Sequence, residues 1–300
     1  MRADRDIGLP RSQAGASPQH LIVSLLGGYR YGNEAELPSA ALVALTEDFG
    51  VSATSARAAL SRLARRGLLE SSKRGRNTFY RLTSDAADVL MDDLERTMRL
   101  GLDVRPWDGS WTVVMFSLPE DRRDVRHLLR TNLRWRGFAP LFDGAWVSPR
   151  AEVAETRAIL DDLGIDSFAV LESRILDSAG EGDPLAAWDL TSLAQSYKLF
   201  SAEFARVGER VSQGDVSAAE ALVLRGRVLD AWSEYLVLDP DLPVDALPPG
   251  WPRDEARQTF AEVYDGLGPL AALRFEQVVA QYAPDLGRPM YFTTSDERLR

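Results

Sequence analysis

The chain has 300 residues, of which 45% are apolar and 27% charged, and its formal net charge is −10 at pH 7. This composition predicts a globular protein with enough core for two or three domains, and it argues against general disorder. Because the chain contains no cysteine and only two histidines, disulfides and thiolate metal sites are excluded, and a zinc site would depend on carboxylates.

The N-terminal stretch MRADRDIGLPRSQAGAS, residues 1–17, predicts a flexible segment ahead of the first helix. It lacks the continuous apolar core of a signal peptide. No apolar run elsewhere approaches the roughly 18 residues that a membrane-spanning helix needs. We therefore expect a cytoplasmic protein that has no membrane partner.

Positive charge is confined to one short part of this acidic chain. Residues 51–82 carry eight basic side chains against one acidic side chain, whereas residues 171–300 carry 12 basic and 22 acidic ones. A local positive field on a negative protein is expected where one face meets a polyanion and the remainder stays soluble. The charge distribution therefore directs attention to residues 51–82.

Three successive helices are predicted near the N-terminus. The segments PQHLIVSLLGGYR and LPSAALVALTEDFG have helical periodicity, with Gly28 and Gly50 as stop signals and Pro38 near a start. A third helix follows in VSATSARAALSRLARRG, where Ser52 has the residue type of an N-cap. The predicted buried side of this helix consists of Ala53, Ala56, Leu60, Leu63, Ala64 and Gly67.

The opposite side of the third helix is small and polar, and includes Thr54, Ala58, Ser61 and Arg65. A solvated helix face usually carries Glu and Lys pairs, so this face suits close approach to another surface. An α-helix fits the major groove of DNA, where Arg pairs bidentately with guanine and small apolar groups contact thymine methyls. The residues predicted to report base sequence are Thr54, Ser55, Ala58, Ser61 and Arg65.

The runs LLESS and TFYRLT predict two short strands joined by KRGRN, in which Gly75 supplies the turn. Helices followed by a hairpin is the order of a winged helix-turn-helix, which we place at residues 18–84. We expect Lys73, Arg74 and Arg76 to contact flanking phosphates and to give salt-dependent affinity. The alternative is a surface helix beside a solvated basic hairpin, and the order of elements and the confined charge together argue against it.

Residues 85–110 predict a linking helix and the connector VRPWDGS. Residues 111–173 then predict the order β-α-β-β-α-β of a ferredoxin-like sandwich, with Pro119 in the first turn of its first helix. Asp143-Gly144 between FAPLF and AWVSP is a strong two-residue hairpin signal. The predicted fold class is α+β, with an N-terminal winged helix-turn-helix, a central ferredoxin-like module and a C-terminal all-helical domain at residues 174–300.

Helical patterns replace strand patterns after about Pro184. Helices are predicted at 185–212, 217–237 and 253–281, and the five prolines of LDPDLPVDALPPGWP predict an extended linker between the last two. The aromatic side chains are mostly spaced for burial, although a subset could line an aryl pocket; these are Trp135, Trp146, Trp188, Tyr197, Phe200, Trp232 and Tyr235.

Three cations in this acidic part, Lys198, Arg225 and Arg227, have two interpretations. They could meet the phosphates of a ligand such as coenzyme A. Ion pairs with neighbouring acids at the surface are the commoner outcome for isolated cations.

The residues that catalysis would need are missing. No P-loop, dinucleotide-binding glycine run or nucleophile elbow occurs in the right setting. A metal-dependent nuclease would need an acid at the end of the first strand of the middle module, and this strand ends in Phe116-Ser117. Asp121 and Asp124 are explained by the positive end of the following helix. We therefore expect neither a catalytic site nor a metal site.

Several segments together closely resemble the PaaX-type repressors of phenylacetate degradation. They are LPSAALVALTEDFGVSATSARAALSRLARRGLLE, GRNTFYRLT and WTVVMFSLPEDRRDVRHLLRTNLRWRGFAPLFDGAWVSP, and the likeness extends to LDPDLP and LPPGWP. It spans nearly the whole chain from about residue 18. Its motifs are specific in combination, because a winged helix is rarely joined to WxxxxFSxPE and GFxxLxxGxWVSP.

The resemblance implies a homodimeric transcriptional repressor whose partner is double-stranded operator DNA. The middle domain would dimerise, and an aryl-acyl-CoA thioester such as phenylacetyl-CoA would release the DNA, with no other cofactor. The DNA-contacting segment of the family maps onto residues 52–66 and the wing onto residues 73–77. This adds Ser52, Arg57, Arg62 and Asn77 to the candidate DNA-binding residues, while no residue is transferred for the effector pocket.

Two hypotheses from other classes stay open. A ferredoxin-type nuclease would cleave nucleic acid in a metal-dependent way, and a protein-docking module would show no salt-sensitive binding to duplex DNA.

Overall fold

The computed structural model describes residues 17–30, 36–102, 107–149, 153–175, 177, 183–286, 291–292 and 294–295. The segment predicted to be flexible at residues 1–17 lies outside this set except for Ser17. The fold mixes helices with small antiparallel sheets. Within the described ranges, no helix is both long enough and apolar enough to cross a membrane.

The described residues of the N-terminal third form four helices and four short strands. They are α1 (Pro18–Gly28), β1 (Tyr29–Arg30), β2 (Leu37–Pro38), α2 (Ser39–Glu47), α3 (Ala53–Arg65), β3 (Leu69–Arg74), β4 (Asn77–Leu82) and α4 (Ser84–Arg99). Strands β2, β4 and β3 form one antiparallel sheet in that order. Helices α1 and α2 both pack against α3.

Local sequence explains most boundaries in this third. The β3–β4 register pairs Arg74 with Asn77, which leaves Gly75 and Arg76 as the turn, and Gly75 has the positive φ of 63° that such a turn favours. Helix α4 begins at Ser84, because the preceding Thr83 acts as N-cap and its hydroxyl accepts a hydrogen bond from the Ala86 N–H at 3.3 Å.

The middle of the chain contributes a four-stranded sheet and two helices. They are β5 (Trp111–Phe116), α5 (Arg123–Trp135), β6 (Ala139–Phe142), β7 (Ala145–Ser148), α6 (Val153–Asp162) and β8 (Phe168–Ser173). The strands are antiparallel in the order β6-β7-β5-β8. Their shared core with the helices includes Val114, Leu129, Leu133, Trp146 and Leu160.

Specific contacts determine the geometry of the β6–β7 turn and the start of α5. A Cβ added to Gly144 in the β6–β7 turn would lie 2.9 Å from the Phe116 carbonyl oxygen, so the close approach requires glycine. Helix α5 begins at Arg123, later than predicted, because Arg122 has non-helical backbone angles. The Arg122 guanidinium instead donates to the carbonyls of Leu163 and Gly164 at 3.1 and 2.8 Å.

From residue 183 onward, the described residues are helical apart from connecting segments and a final short strand. It contains α7 (Leu190–Ser212), α8 (Ala218–Ser233), α9 (Tyr235–Leu238), α10 (Arg253–Tyr282) and β9 (Tyr291–Phe292). The helix predicted at 217–237 is therefore two helices, since α8 ends at Ser233. Between α9 and α10 the proline-rich stretch forms only one short 3₁₀ turn at Val244–Ala246, as its prolines require.

The chain forms two compact units. The first contains residues 1–100, 200–234 and 257–300, and the second contains residues 101–199 and 235–256. In the first unit, the Trp232 indole N–H donates to the Thr97 carbonyl at 3.0 Å, and Trp232 stacks on Phe260 with ring centroids 5.1 Å apart. Strand β1 pairs with β9 in the same unit. The N-terminal helices and the C-terminal helices therefore share one core.

Candidate nucleic-acid interface

Helix α3 begins at a hydrogen-bonded serine cap. The Ser55 N–H donates to the Ser52 hydroxyl oxygen at 3.3 Å, and the Ser52 hydroxyl donates to that of Ser55 at 3.0 Å. Ser52 is thus an N-cap, which satisfies one of the free N–H groups at the helix start. Both hydroxyls are at the exposed end of the helix and fix its first turn.

One side of α3 is buried by small and apolar residues. Ala56, Ala59, Leu60 and Leu63 are each at most 1% exposed. Alanine lets α3 approach its neighbours closely, and the two leucines supply most of the buried apolar area. Gly67, predicted on this side, is exposed because it has a positive φ beyond the helix end and no longer follows helical periodicity.

The other side of α3 faces away from the core. Thr54, Ser61 and Arg65 are exposed and Ala58 is partly exposed, so the small polar face predicted from the sequence lies at the surface. Arg57 and Arg62 are exposed on the same helix. In the part of the chain that the structure describes, no carboxylate pairs with the arginines at 57, 62 and 65.

The β3–β4 hairpin carries two further free cations and one that is engaged. Lys73 and Arg76 are exposed, and among the described residues neither has an acidic partner. Arg74 pairs with Glu36 at 2.7 Å, and its guanidinium lies 4.6 Å from the centroid of the Phe79 ring. Asn77 is exposed opposite Arg74 in the register. Arg74 would therefore have to exchange or share Glu36 to reach a phosphate.

The remaining cations of this segment have partners within the protein. Arg81 pairs with Glu70 at 2.6 Å, and Arg66 donates to the Gln19 side chain at 3.3 Å. The charge excess of residues 51–82 is thus concentrated in one set of exposed side chains that pair with no acid in the described ranges, which we call the cationic surface. It consists of Arg57, Arg62, Arg65, Lys73 and Arg76.

A bidentate ion pair holds the turn that precedes α3. Asp48, the C-cap of α2, accepts two hydrogen bonds at 2.8 Å from the Nε and Nη2 atoms of Arg274 on α10. The Asp48 side chain is 14% exposed and that of Arg274 is 28% exposed. The hydrogen bonds that Arg274 donates to the Asp48 carboxylate raise the pKa of the arginine above its usual value. We call this pair the turn clamp.

Next to the turn clamp, Phe49 packs on α8. A Cβ added to Gly226 would lie 3.1 Å from the Phe49 ring, so the glycine leaves room for the ring. On α1, the His20 side chain lies 2.9 Å from Asp230 of α8. Elements that precede α3 are thus fixed to α8 and α10 within the first unit. This support could not be found from the sequence, because Asp48 and Arg274 are 226 positions apart and no local pattern links them.

The three cations noted in the C-terminal part differ in their burial and in their partners. Arg227 pairs with Glu203 at 3.1 Å at the surface, as the commoner interpretation predicts. Arg225 is only 2% exposed, donates to the Tyr264 carbonyl at 3.2 Å and lies 3.8 Å from the centre of the Tyr264 ring. It is an internal side chain that no phosphate reaches. Lys198 is exposed.

Most of the aromatic side chains are core residues. Trp146, Tyr197, Phe200, Trp232 and Tyr235 are each at most 5% exposed. Trp188 differs, since it is partly exposed while stacking on Trp111 with centroids 6.1 Å apart. The side chain of Trp135 lies outside the described set.

Comparison with known proteins gives matches along most of the chain. Models described as PaaX-like protein, PaaX protein central Cas2-like domain and PaaX-like protein C-terminal domain match residues 17–86, 104–184 and 188–277. Transcriptional repressor PaaX of Escherichia coli (strain K12) is 26% identical over 262 residues, which cover 85% of this chain and 81% of the relative.

A solved structure of an uncharacterized protein from Mycobacterium tuberculosis is also similar. Its TM-score is 0.57 at 24% sequence identity, and the match covers 87% of this chain and 98% of that chain. At this identity the likeness concerns the fold alone.

Proposed function

The chain belongs to the PaaX family of transcriptional repressors, a family of regulators and not of enzymes, and from this premise we propose that it represses transcription by binding operator DNA as a homodimer. An aryl-acyl-CoA thioester such as phenylacetyl-CoA releases it. Since its partner is DNA, the protein works in the cytoplasm.

In this proposal, residues 18–84 are a winged helix-turn-helix, and residues 85–110 link it to a ferredoxin-like dimerisation domain at 111–173. Residues 174–300 are the effector-binding part. Support comes from the order of α1, α2, α3 and the β3–β4 hairpin, and from the strand order β6-β7-β5-β8. The family model for residues 104–184 is described as Cas2-like.

The observation that carries the proposal is the cationic surface together with the small outer side of α3. Five exposed cations, which have no acidic partner among the residues that the structure describes, lie on α3 and on the hairpin that follows it, in a chain of net charge −10. Alanine, serine and threonine between the arginines leave no bulky side chain to prevent entry into a groove about 12 Å wide. A solvated surface without a partner would not need both features.

The two parts of the surface have different tasks. The outer side of α3 contacts base edges in the major groove through Thr54, Ser55, Ala58, Ser61 and Arg65. The residues that flank these contacts are Ser52, Arg57 and Arg62. Lys73, Arg76 and Asn77 of the hairpin contact phosphates, and Arg74 joins them when it exchanges its bond to Glu36. A two-fold dimer places two α3 helices on half-sites spaced by whole turns of about 10 bp.

Release by the effector is a shift between two arrangements of the dimer. The thioester must bind the DNA-incompetent arrangement better than the competent one, by about 1–3 kcal/mol for a typical coupling. The turn clamp supports such coupling, because it fixes the entry to α3 against α10. A displacement of α8 or α10 would therefore move the reading helix.

A gel-shift experiment tests this function. The protein is titrated onto the DNA upstream of its own gene, in increasing salt, with and without a panel of acyl-CoA esters. We expect salt-sensitive binding and release by an aryl-acyl-CoA. Cleavage that a chelator abolishes would favour the nuclease hypothesis, and a folded protein that ignores duplex DNA at low salt would favour the docking module.

A further inference from the structure

A cavity of about 760 Å³ lies within the second unit and has no role in the DNA interface. Its walls come from the end of α5, the start of β6, Trp188, and helix α9 with the loop that follows it. This volume is in the range of small-molecule sites, which are usually concave and combine apolar walls with a few placed polar groups.

The floor of the cavity is held by a buried ionic network. Arg253 and Asp239 are each 3% exposed at their side chains and lie 3.5 Å apart, and Arg253 also pairs with Asp241 at 3.4 Å. The Tyr197 hydroxyl donates to Asp239 at 2.5 Å. Burial together with Asp239 raises the pKa of this hydroxyl, so it remains a donor. The floor is therefore formed before any ligand arrives.

Backbone strain coincides with this floor. Asp241 lines the cavity with a φ of 52°, a conformation that residues other than glycine rarely adopt. Its N–H donates to the Asp239 carboxylate at 2.7 Å, which holds the conformation in place. Such strain persists where the surroundings enforce it, and binding sites are a common location.

The rim of the cavity exposes apolar side chains. Val237 and Leu238 of α9 are 68% and 56% exposed, and the partly exposed indole of Trp188 lines the same cavity. Exposed apolar side chains around a concave surface indicate a binding site, in which the bound ligand covers them. A flat aromatic or acyl group is the kind of occupant that these walls suit.

Among the charged residues described in the cavity lining, one arginine has no carboxylate partner. Both aspartates of the floor are engaged by Arg253, and Arg136 pairs with Glu155. Arg134 is exposed, and in the described residues it has no carboxylate partner, only the Trp146 ring at 5.3 Å. An unmatched guanidinium beside the apolar side chains of this mixed polar and apolar cavity favours an anionic group on the ligand.

We propose that this cavity binds an organic anion that also carries an aromatic or acyl group. The anionic group pairs with Arg134, and the apolar group lies against Trp188 and Leu238. The ligand class follows from the lining residues, and the further statement that this ligand is the effector rests on the function proposed above.

The test uses the full chain and calorimetric titration with phenylacetyl-CoA, coenzyme A and phenylacetate. Arg134→Gln removes the unmatched cation, and Leu238→Glu places a carboxylate in the cavity at an exposed position where folding tolerates it. Each should weaken phenylacetyl-CoA binding about tenfold or more, the loss expected for a charge-assisted contact. Coenzyme A and phenylacetate should each bind more weakly than the thioester, because each fills part of the site.

Two control variants carry the same Arg→Gln and Leu→Glu substitutions at surface positions outside the cavity. Arg157→Gln removes a surface arginine from α6, and Leu199→Glu alters a leucine of α7 that is 61% exposed and does not line the cavity. Both should change the affinity less than about twofold. Equal affinity of all four variants for phenylacetyl-CoA, or a wild-type protein that binds none of the probes, would overturn the assignment. Coenzyme A binding as tight as that of the thioester would show that the apolar group does not contribute to binding.

A DNA readout separates this inference from the repressor function. Arg134→Gln should bind operator as the wild type does, yet require about tenfold more phenylacetyl-CoA for release. If the wild type does not bind DNA, the proposed function fails while the calorimetric comparison still decides the cavity. If DNA is released normally from both cavity variants, the assignment of the cavity as the effector site fails and the repressor function stands.

Discussion

Three arginines of α3 and two arginines of α8 and α10 have opposite surroundings within the same unit. Arg57, Arg62 and Arg65 extend into solvent, and in the described structure none of them pairs with a carboxylate. Arg225 is 2% exposed, and Arg257 is 7% exposed and donates to the Met98 carbonyl at 3.2 Å. The same guanidinium group is thus exposed to solvent in one place and used to join helices in the other.

The contrast shows how a buried guanidinium is stabilised by carbonyls and aromatic rings. Arg225 lies 3.8 Å from the centre of the Tyr264 ring and 5.5 Å from that of Tyr29. Burial raises the pKa of Tyr29, and the neighbouring Arg225 partly opposes this increase. Arg225 and Arg257 each combine a carbonyl acceptor with a neighbouring aromatic ring, whereas the arginines on the outer side of α3 face solvent.

The largest effect should come from truncating an internal arginine. Arg225→Ala removes a buried side chain with its hydrogen bond to Tyr264, so we expect the free energy of unfolding to fall by about 3 kcal/mol. Arg227→Ala, two positions along the same helix, removes an exposed pair with Glu203 and should change it by about 0.5 kcal/mol or less. Urea unfolding followed by tryptophan fluorescence measures both, and equal losses would contradict the comparison.

The turn clamp should have the next largest effect, because its arginine is intermediate in burial. Arg274→Ala leaves Asp48 without its bidentate partner, and we expect a loss of about 2 kcal/mol in unfolding free energy, between surface and buried pairs. Operator affinity should fall about tenfold as the entry to α3 loosens.

Two further variants sharpen the test of the clamp. Arg274→Lys should be intermediate, since an ammonium cannot reproduce the bidentate geometry. The exchanged pair Asp48→Arg with Arg274→Asp should recover part of the affinity. A gel shift with the operator gives the result, and full affinity in Arg274→Ala would show that the clamp does not position α3.

At the exposed end of the comparison, Arg65→Ala should leave the unfolding free energy unchanged within about 0.5 kcal/mol. Its effect should instead be on recognition, because a lost arginine–guanine contact reduces discrimination between operator and mismatched DNA by about 1.5 kcal/mol. Competition binding with both DNAs provides the measurement. A stability loss as large as that of Arg225→Ala would contradict the distinction between external and internal arginines.

Lys73→Ala should have the smallest effect and no sequence preference. A single phosphate contact contributes equally on every sequence, so binding to operator and mismatched DNA should weaken alike. The slope of log affinity against log salt should become shallower by about 1. Salt titrations of the wild type and the variant supply the slopes, and a selective loss on operator DNA would place Lys73 among the sequence-reading residues.

Features that depend on near neighbours were predictable from the sequence. Ser52 caps α3, Gly75 forms the hairpin turn, and Asp143-Gly144 joins β6 to β7, because caps and turns depend on residues a few positions apart. The outer side of α3 was likewise predictable from helical periodicity. Contact of these residues with DNA stays a prediction.

Features that depend on distant residues were not predictable. The start of α5 is set by the bonds of Arg122 to carbonyls 41 and 42 residues away, which no local pattern contains. Arg225 and Arg227 have the same residue type two positions apart, and only the packing of α10 decides which is internal. The cavity lining combines α5, β6 and α9, so Arg134 could not be identified as its unmatched cation.

The distance along the chain between the two residues of the turn clamp has a consequence for synthesis. Asp48 precedes Arg274 by 226 residues, and translation at about 5–20 residues per second separates them by roughly 10–45 s. During that interval a nascent polypeptide contains α3 but lacks the Arg274 half of the turn clamp. Ribosomal products that stop before residue 274 never acquire the clamp, so only polypeptides synthesised past that point can hold α3 as described.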